Sequence, residues 1–235
     1  MKNNVSPYYK EAVSAVNAGL RSYMLDVFSN MGIGLVITAI VAYFTCTSQT
    51  LMYALYATGL KWLVLFLPLG IVLFLSARIS KMSASQATAW FYFYALTIGF
   101  SLAPMCLIYT GESIASAFFI SAAMFLSMVI YGYSTDKDLT GFGAFLVMAL
   151  LGIIVASIVN LFIHSSATGF VISICGVLIF TGLTAFDAQR IKSYYFEEDG
   201  KDRSKKKAVF GALQLYLDFI NLFLYVLRLF GGRRD

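Results

Sequence analysis

The sequence has few charged residues: they occupy 12% of its 235 positions, whereas hydrophobic residues occupy 60%. A water-soluble domain usually carries about twice as much charge. The mean hydropathy of +0.79 points in the same direction. This composition excludes a soluble globular protein and predicts a protein embedded in a membrane.

Cysteine, proline and histidine are also scarce. The three cysteines, Cys46, Cys106 and Cys175, lie in separate hydrophobic runs and form no C-x-x-C motif, which argues against a disulfide framework or a zinc site. The single histidine, His164, has no G-x-S-x-G motif to act with, so a serine intramembrane protease is disfavoured. We therefore expect a protein that is not an enzyme and that holds no tightly bound cofactor.

Seven apolar stretches approach or exceed the length of roughly 20 residues that a transmembrane helix needs. They are continuous runs without period-two alternation, which favours helices over the strands of a barrel. The stretches are 31–48, 59–77, 87–110, 113–133, 142–163, 168–189 and 208–230. We predict an all-α polytopic membrane protein, in which a cytoplasmic N-terminal segment (1–30) precedes a seven-helix domain (31–235). A charged, mobile loop (193–207) joins the last two helices, and no cleaved signal peptide is expected.

The basic residues indicate the orientation, because loops rich in Lys and Arg stay on the cytoplasmic side. With the N-terminus inside, 13 of the 17 basic residues fall in cytoplasmic segments, and the others are Lys61, Arg228, Arg233 and Arg234. The basic tail leaves two alternatives open, an external C-terminus and a re-entrant last segment. Membrane topology accounts for the net charge of +5, so no nucleic-acid partner is expected.

Two aspartates interrupt the last two apolar stretches: Asp187 in GLTAFDAQR and Asp218 in LQLYLDFINLF. An acid at the centre of a transmembrane helix costs about 2.5–3.5 kcal/mol on insertion scales, so such acids persist mainly where they face a partner, a cavity or an ion path. Asp218 falls about ten residues into its helix, which is roughly 15 Å deep and near the bilayer midplane. These two residues are the leading candidates for a functional site.

The last apolar stretch carries a polar seam, whose members are spaced by three or four residues and therefore share one face of a helix. The seam consists of Gly211, Gln214, Asp218, Asn221, Tyr225 and Arg228. Most other positions in this stretch are apolar. Such a helix belongs in the middle of a bundle, where its seam lines a pathway or pairs with other helices.

If the two carboxyl groups meet, they cannot both stay ionised at low cost, so they would share a proton and respond to pH. Once ionised, they would offer the hard oxygen ligands that calcium prefers, with further oxygens from Gln214, Asn221, the backbone and water. An aspartate pair that only holds two helices together is the alternative. Arg78, at the end of the second stretch, either extends to the cytoplasmic surface or acts as a counter-ion for the aspartates.

Three segments resemble the Bax inhibitor motif family of membrane proteins, and the likeness runs from about Arg21 to Phe230. They are YGYSTDKDLTGFGAFLVMALLGIIVASIVN, FTGLTAFDAQRIKSYY and LYLDFINLFLYVLRLF. The resemblance implies seven helices with the last enclosed by the other six, and a calcium leak that depends on pH. It implies a pH sensor and calcium site at Asp187 and Asp218, and it matches Arg78 to an arginine that interacts with them. The bacterial members are the most similar, which implies the inner membrane of a bacterium.

The polar seam and the family resemblance together predict a pH-sensitive channel or transporter for calcium or another cation. In this prediction, the protonated pair of Asp187 and Asp218 holds the closed state. The expected partners are the lipid bilayer, calcium, protons and other membrane proteins. One alternative is a non-conducting membrane protein that regulates other proteins. Another is a di-aspartyl intramembrane protease, although Leu215, Tyr216 and Leu217 stand where such proteases carry a G-x-G-D motif.

Overall fold

The computed structural model describes residues 7–234, with side chains from Ala18 onward. Nearly all of this range is helical, and seven of its helices are long and apolar enough to cross a membrane. They are α1 (Pro7–Thr47), α2 (Leu60–Arg78), α3 (Ala84–Leu102), α4 (Gly111–Ser134), α5 (Thr140–Ile163), α6 (Ser166–Ser193) and α7 (Lys201–Phe230). Shorter helical segments are Gln49–Met52, Tyr53–Ala57, Ile79–Lys81 and Met105–Ile108. The predicted all-α polytopic membrane fold is confirmed.

The first helix starts well before its apolar run. Residues 18–30, which were expected to precede the membrane helices, continue α1 without a break. One face of this part packs into the core, with Tyr23 and Val27 buried, while Asp26 on another face is exposed. This mixture of polar and apolar residues hides the helix from a search for continuous apolar runs. Residues 1–6 of the predicted N-terminal segment lie outside the described residues.

Helix α7 occupies the middle of the bundle. It packs mainly against α1, α3, α4 and α6, and it is the most buried of the seven helices. Helix α6 is the next most buried and lies against α4, α5 and α7. Helices α2 and α5 are peripheral and expose many large apolar side chains, as a lipid-facing surface requires. The prediction that the last helix is central is confirmed, with its main contacts on four helices.

The two ends of α7 lie on opposite sides of the bundle. This helix is continuous over 30 residues, which corresponds to about 45 Å and is enough to cross a bilayer. The tail that follows lies beside the connection between α3 and α4: Arg234 N donates to Ile108 O (2.9 Å), and Thr110 N donates to Gly232 O (3.2 Å). The last segment therefore crosses the bundle, and within residues 7–234 it is not re-entrant.

Helix α6 approaches α4 closely at Gly132. A Cβ atom added there would lie 2.1 Å from the backbone oxygen of Ala185. Backbone cannot move aside as a flexible side chain can, so this position accepts only glycine. Ala185 precedes Asp187 by two positions, and the contact therefore helps to place the first candidate aspartate in the bundle.

We expect Gly132→Val to destabilise the protein strongly, because its side chain would collide with the α6 backbone. Overpacking costs about 1–3 kcal/mol, and each kcal/mol corresponds to roughly 2–4 °C in a domain of this size, so a fall of about 2–12 °C in the thermal midpoint is expected. Gly152→Val on α5 is the matched control, since nothing lies within 4 Å of a Cβ added there. Equal midpoints for the two variants in the same detergent would contradict the packing described.

Candidate functional site

Helices α6 and α7 run antiparallel and pack closely along most of their length. On one side of the candidate site, a Cβ added at Gly176 of α6 would lie 2.6 Å from the ring of Tyr225 on α7. On the other side, a Cβ added at Gly211 of α7 would lie 2.8 Å from Ile191 of α6. Asp187 and Asp218 fall between these two contacts. Small residues thus bring together the helix faces that carry the aspartates.

The carboxyl groups of Asp187 and Asp218 face each other within hydrogen-bonding reach. Asp218 is 5% exposed, whereas Asp187 is partly buried. Two carboxylates cannot hydrogen-bond each other unless one of them carries a proton. A proton shared between the two is therefore the arrangement that fits this geometry at the lowest electrostatic cost.

One oxygen of Asp218, Oδ2, is buried, and no N–H or O–H group of the described residues donates a hydrogen bond to it. On the opposite face of α7, the Tyr216 hydroxyl contacts Thr38 Oγ1 of α1 at 2.6 Å, and Thr38 also donates to Ala95 O of α3 at 2.8 Å. The hydrogen-bonding groups on that face are therefore satisfied, whereas those at the aspartate pair are only partly so. Water or a cation would complete the bonding at the pair.

Polar groups connect the pair to the loop between α6 and α7. Gln214, one turn from Asp218 on α7, lies near the side chain of Tyr194. Among the described residues, Gln214 Oε1 and the Tyr23 hydroxyl are buried without a hydrogen-bond partner. Tyr23 of α1 in turn neighbours Tyr194 and Asp199. A line of polar groups therefore leads from the buried carboxyl groups towards the end of the bundle that carries this loop.

The loop itself is shorter than the predicted 193–207, because the structure continues both helices into that range and leaves residues 194–200 between them. It is also held in place. The Asp199 carboxylate, whose side chain is 7% exposed, accepts from Arg203 (3.2 Å) and from Lys207. Lys207 also donates to the backbone oxygen of Tyr194 at 2.9 Å. These ion pairs connect the loop to the first turns of α7, and the mobility expected of the loop stays a prediction.

The basic residue that acts electrostatically on Asp187 is Arg190. Its guanidinium lies 5.9 Å from the ring centre of Phe186 and 5.8 Å from that of Tyr194. Arg78, the counter-ion suggested by the sequence, is exposed at the end of α2 and forms no ion pair within the described residues. The spacing of three residues between Asp187 and Arg190 was the available signal, because it places both on one helix face.

The seam of α7 divides into two parts. Gln214 and Asp218 face the aspartate site, whereas Asn221 donates to Leu217 O of its own helix at 2.8 Å. Tyr225 stacks on Phe180 with ring centres 5.8 Å apart. Arg228 is exposed at the far end of α7. The structure therefore does not join all seam residues in one site, and their role as a pathway lining stays a prediction.

The donor set limits how a cation could bind. Within the described residues, no group of three or more His, Cys, Asp or Glu side chains converges on one point. Calcium takes about six to eight oxygen ligands, so Asp187 and Asp218 would supply only part of its shell. Backbone carbonyls, the free oxygen of Gln214 and water would have to supply the rest. This chemistry suits brief contact with a passing ion better than a tightly held one.

Comparisons with known proteins agree with this architecture. A family model described as "Inhibitor of apoptosis-promoting Bax1" matches residues 20–235. The inner membrane protein YbhL of Escherichia coli K12 is 42% identical over 95% of this chain and 97% of its own length. An uncharacterized protein of Rickettsia prowazekii is 43% identical over 92% of both chains. An uncharacterized membrane protein of Streptococcus pyogenes is 35% identical over 93% of this chain and 96% of its own length. The chain is therefore a member of the Bax inhibitor family that its motifs resemble.

Proposed function

We propose that the protein is a pH-sensitive leak pathway for calcium, or a similar cation, across a bacterial inner membrane. The observation that carries the proposal is the pair of facing carboxyl groups between the two innermost helices, with Asp218 buried and Asp187 partly buried. Intramembrane acids are costly and mark ion paths or proton sites more often than passive packing. The E. coli relative is an inner membrane protein, which supports the location. The basic residues favour a cytoplasmic N-terminus.

In the proposed closed state, Asp187 and Asp218 share one proton, and α6 and α7 stay in contact. When the pH rises, the shared proton is lost and two negative charges face each other in an apolar environment. Repacking of α7 relieves this repulsion, and so does the approach of Arg190, Arg78 or a cation to the carboxylates. The polar line through Gln214 provides access for water and protons from the loop end.

Calcium flux through the purified protein tests the proposed pathway directly. In proteoliposomes that contain a fluorescent calcium indicator, we expect calcium entry to increase between about pH 5.5 and about pH 8, as the shared proton is lost. Asp187→Asn and Asp218→Asn should abolish this pH response, because neither variant retains a carboxyl pair. Asp136→Asn is the control, since Asp136 is an exposed carboxylate in the connection between α4 and α5.

Two outcomes would contradict the proposal. A pH response that survives in both aspartate variants would separate flux from the pair. Flux no higher than in empty liposomes at every pH would favour the alternative of a non-conducting protein that regulates other membrane proteins.

The pH dependence of thermal stability tests the shared proton and does not require flux. Above the acidic range, the folded pair retains a proton that the separate, solvated aspartates of the unfolded chain release. At these pH values the folded state therefore binds more protons than the unfolded state does. Stability must then fall with rising pH. We expect the thermal midpoint of the wild type to decrease from pH 5.5 to pH 8 and that of Asp218→Asn to change less. A steeper decrease in Asp218→Asn than in the wild type would refute the shared proton.

Arg190 and Arg78 should affect the flux in different ways. Arg190 favours the ionised form of the pair, so Arg190→Gln should move the pH response of the flux to higher pH. The shift should be smaller than about one pH unit, because an exposed guanidinium is screened by water and salt. Arg78→Gln should instead lower the flux reached at high pH, where Arg78 is proposed to engage the open arrangement. An unchanged pH response in Arg190→Gln would remove Arg190 from the mechanism.

A further inference from the structure

A cavity of about 820 Å³ opens between α5, α6 and α7, at the end of the bundle opposite the 194–200 loop. Two arginines, Arg228 and Arg233, line it together with His164. No acidic side chain is among the described residues that line it. The cavity is therefore a region of positive charge at the end of the bundle where the sequence places few basic residues.

Two donors converge inside this cavity. The point that a Cβ atom would occupy at Gly169 lies 3.0 Å from Arg228 Nη2 and 3.5 Å from Asn160 Nδ2. The other end of the Asn160 amide is already used, because its Oδ1 accepts a hydrogen bond from Ser165 N at 3.2 Å. Because Gly169 has no side chain, the two nitrogen donors lie close together against the α6 backbone at the wall of the cavity, where the oxygens of one ligand group can accept from both.

The described chain offers no internal anion for this position. The three ion pairs in residues 18–234 all involve Asp199 or Asp202, near the other end of α7. Glu112, in the first turn of α4, forms none of them. Side chains with hydroxyl groups, among them Ser166 and Tyr225, line the same cavity. This set of groups suits a multidentate oxyanion such as a phosphate group.

The apolar walls of the cavity indicate which kind of molecule bears the phosphate group. Leu161 on α5 is 70% exposed and Phe170 on α6 is 59% exposed, and both line the same cavity. Apolar side chains at this position face acyl chains in a bilayer. The polar and apolar linings are therefore continuous, as a ligand with an anionic head and hydrocarbon tails requires.

We propose that this cavity binds the phosphate group of an anionic phospholipid, with Arg228 and Asn160 as its principal donors. The site lies at the other end of α7 from the aspartate pair and does not depend on the proposed leak. Lipid binding there would attach the outer end of α7 to the membrane interface.

The test uses the full chain in detergent, with the thermal midpoint measured while a short-chain lipid is added. Diheptanoyl phosphatidylglycerol should raise the midpoint more than diheptanoyl phosphatidylcholine does. Arg228→Gln should weaken the apparent affinity for phosphatidylglycerol by roughly tenfold or more, as expected for the loss of a charged hydrogen bond. Lys61→Gln is the control, because it removes a basic residue that does not line this cavity.

A second pair of variants keeps every charge. Gly169→Ala places a methyl group at the point where the two donors converge and should also weaken phosphatidylglycerol binding, whereas Gly152→Ala should not. Protection by inorganic phosphate equal to that by phosphatidylglycerol would support the phosphate chemistry but overturn the lipid as its source. Equal protection by the two lipids, or equal affinity of Arg228→Gln and Lys61→Gln, would overturn the site.

Discussion

Asp187 and Asp218 are held together between α6 and α7, and removing the charge of a carboxylate from water without a partner costs several kcal/mol. The bundle places the two acids against each other, and in the proposed closed state one proton serves both. Close contact of α6 with α7 is then required, and glycines at 176 and 211 permit it on the two sides of the pair, while Gly132 lets α4 approach α6. The central position of α7 follows, because its polar face can be covered only by other helices.

The sequence predicted the features that depend on composition and helical period. The seven crossings follow from the apolar runs, and the central last helix follows from the spacing of its polar residues. The start of α1 and the first turns of α7 were missed, because their charged residues conceal helices that tertiary contacts stabilise, such as Asp199 with Lys207. The position of Arg78 relative to the aspartates could not be predicted, since it depends on how a peripheral helix packs. Arg190 was closer in sequence and was overlooked.

The proposed gating requires α7 to repack, and contacts at its two ends restrict how it moves. At the loop end, Asp202 Oδ1 accepts a hydrogen bond from Ala84 N of α3 at 3.0 Å. At the other end, the backbone of the tail pairs with that of the connection between α3 and α4, as in the bond from Thr110 N to Gly232 O. A shift of α7 along its axis by one residue, about 1.5 Å, would stretch bonds at both ends. A rotation or bend confined to the middle of the helix would keep them.

The middle of α7 is held by the contact between Tyr216 and Thr38 of α1. Tyr216 and Asp218 are two positions apart, so they point to roughly opposite sides of the helix, about 200° apart. Any rotation that separates Asp218 from Asp187 must also displace Tyr216 from Thr38. In the proposed closed state, the shared proton and this hydroxyl contact therefore hold the same segment of α7 from opposite sides. In the proposed mechanism, loss of the proton favours opening only if the gain from relieving carboxylate repulsion exceeds the cost of breaking the buried hydroxyl contact.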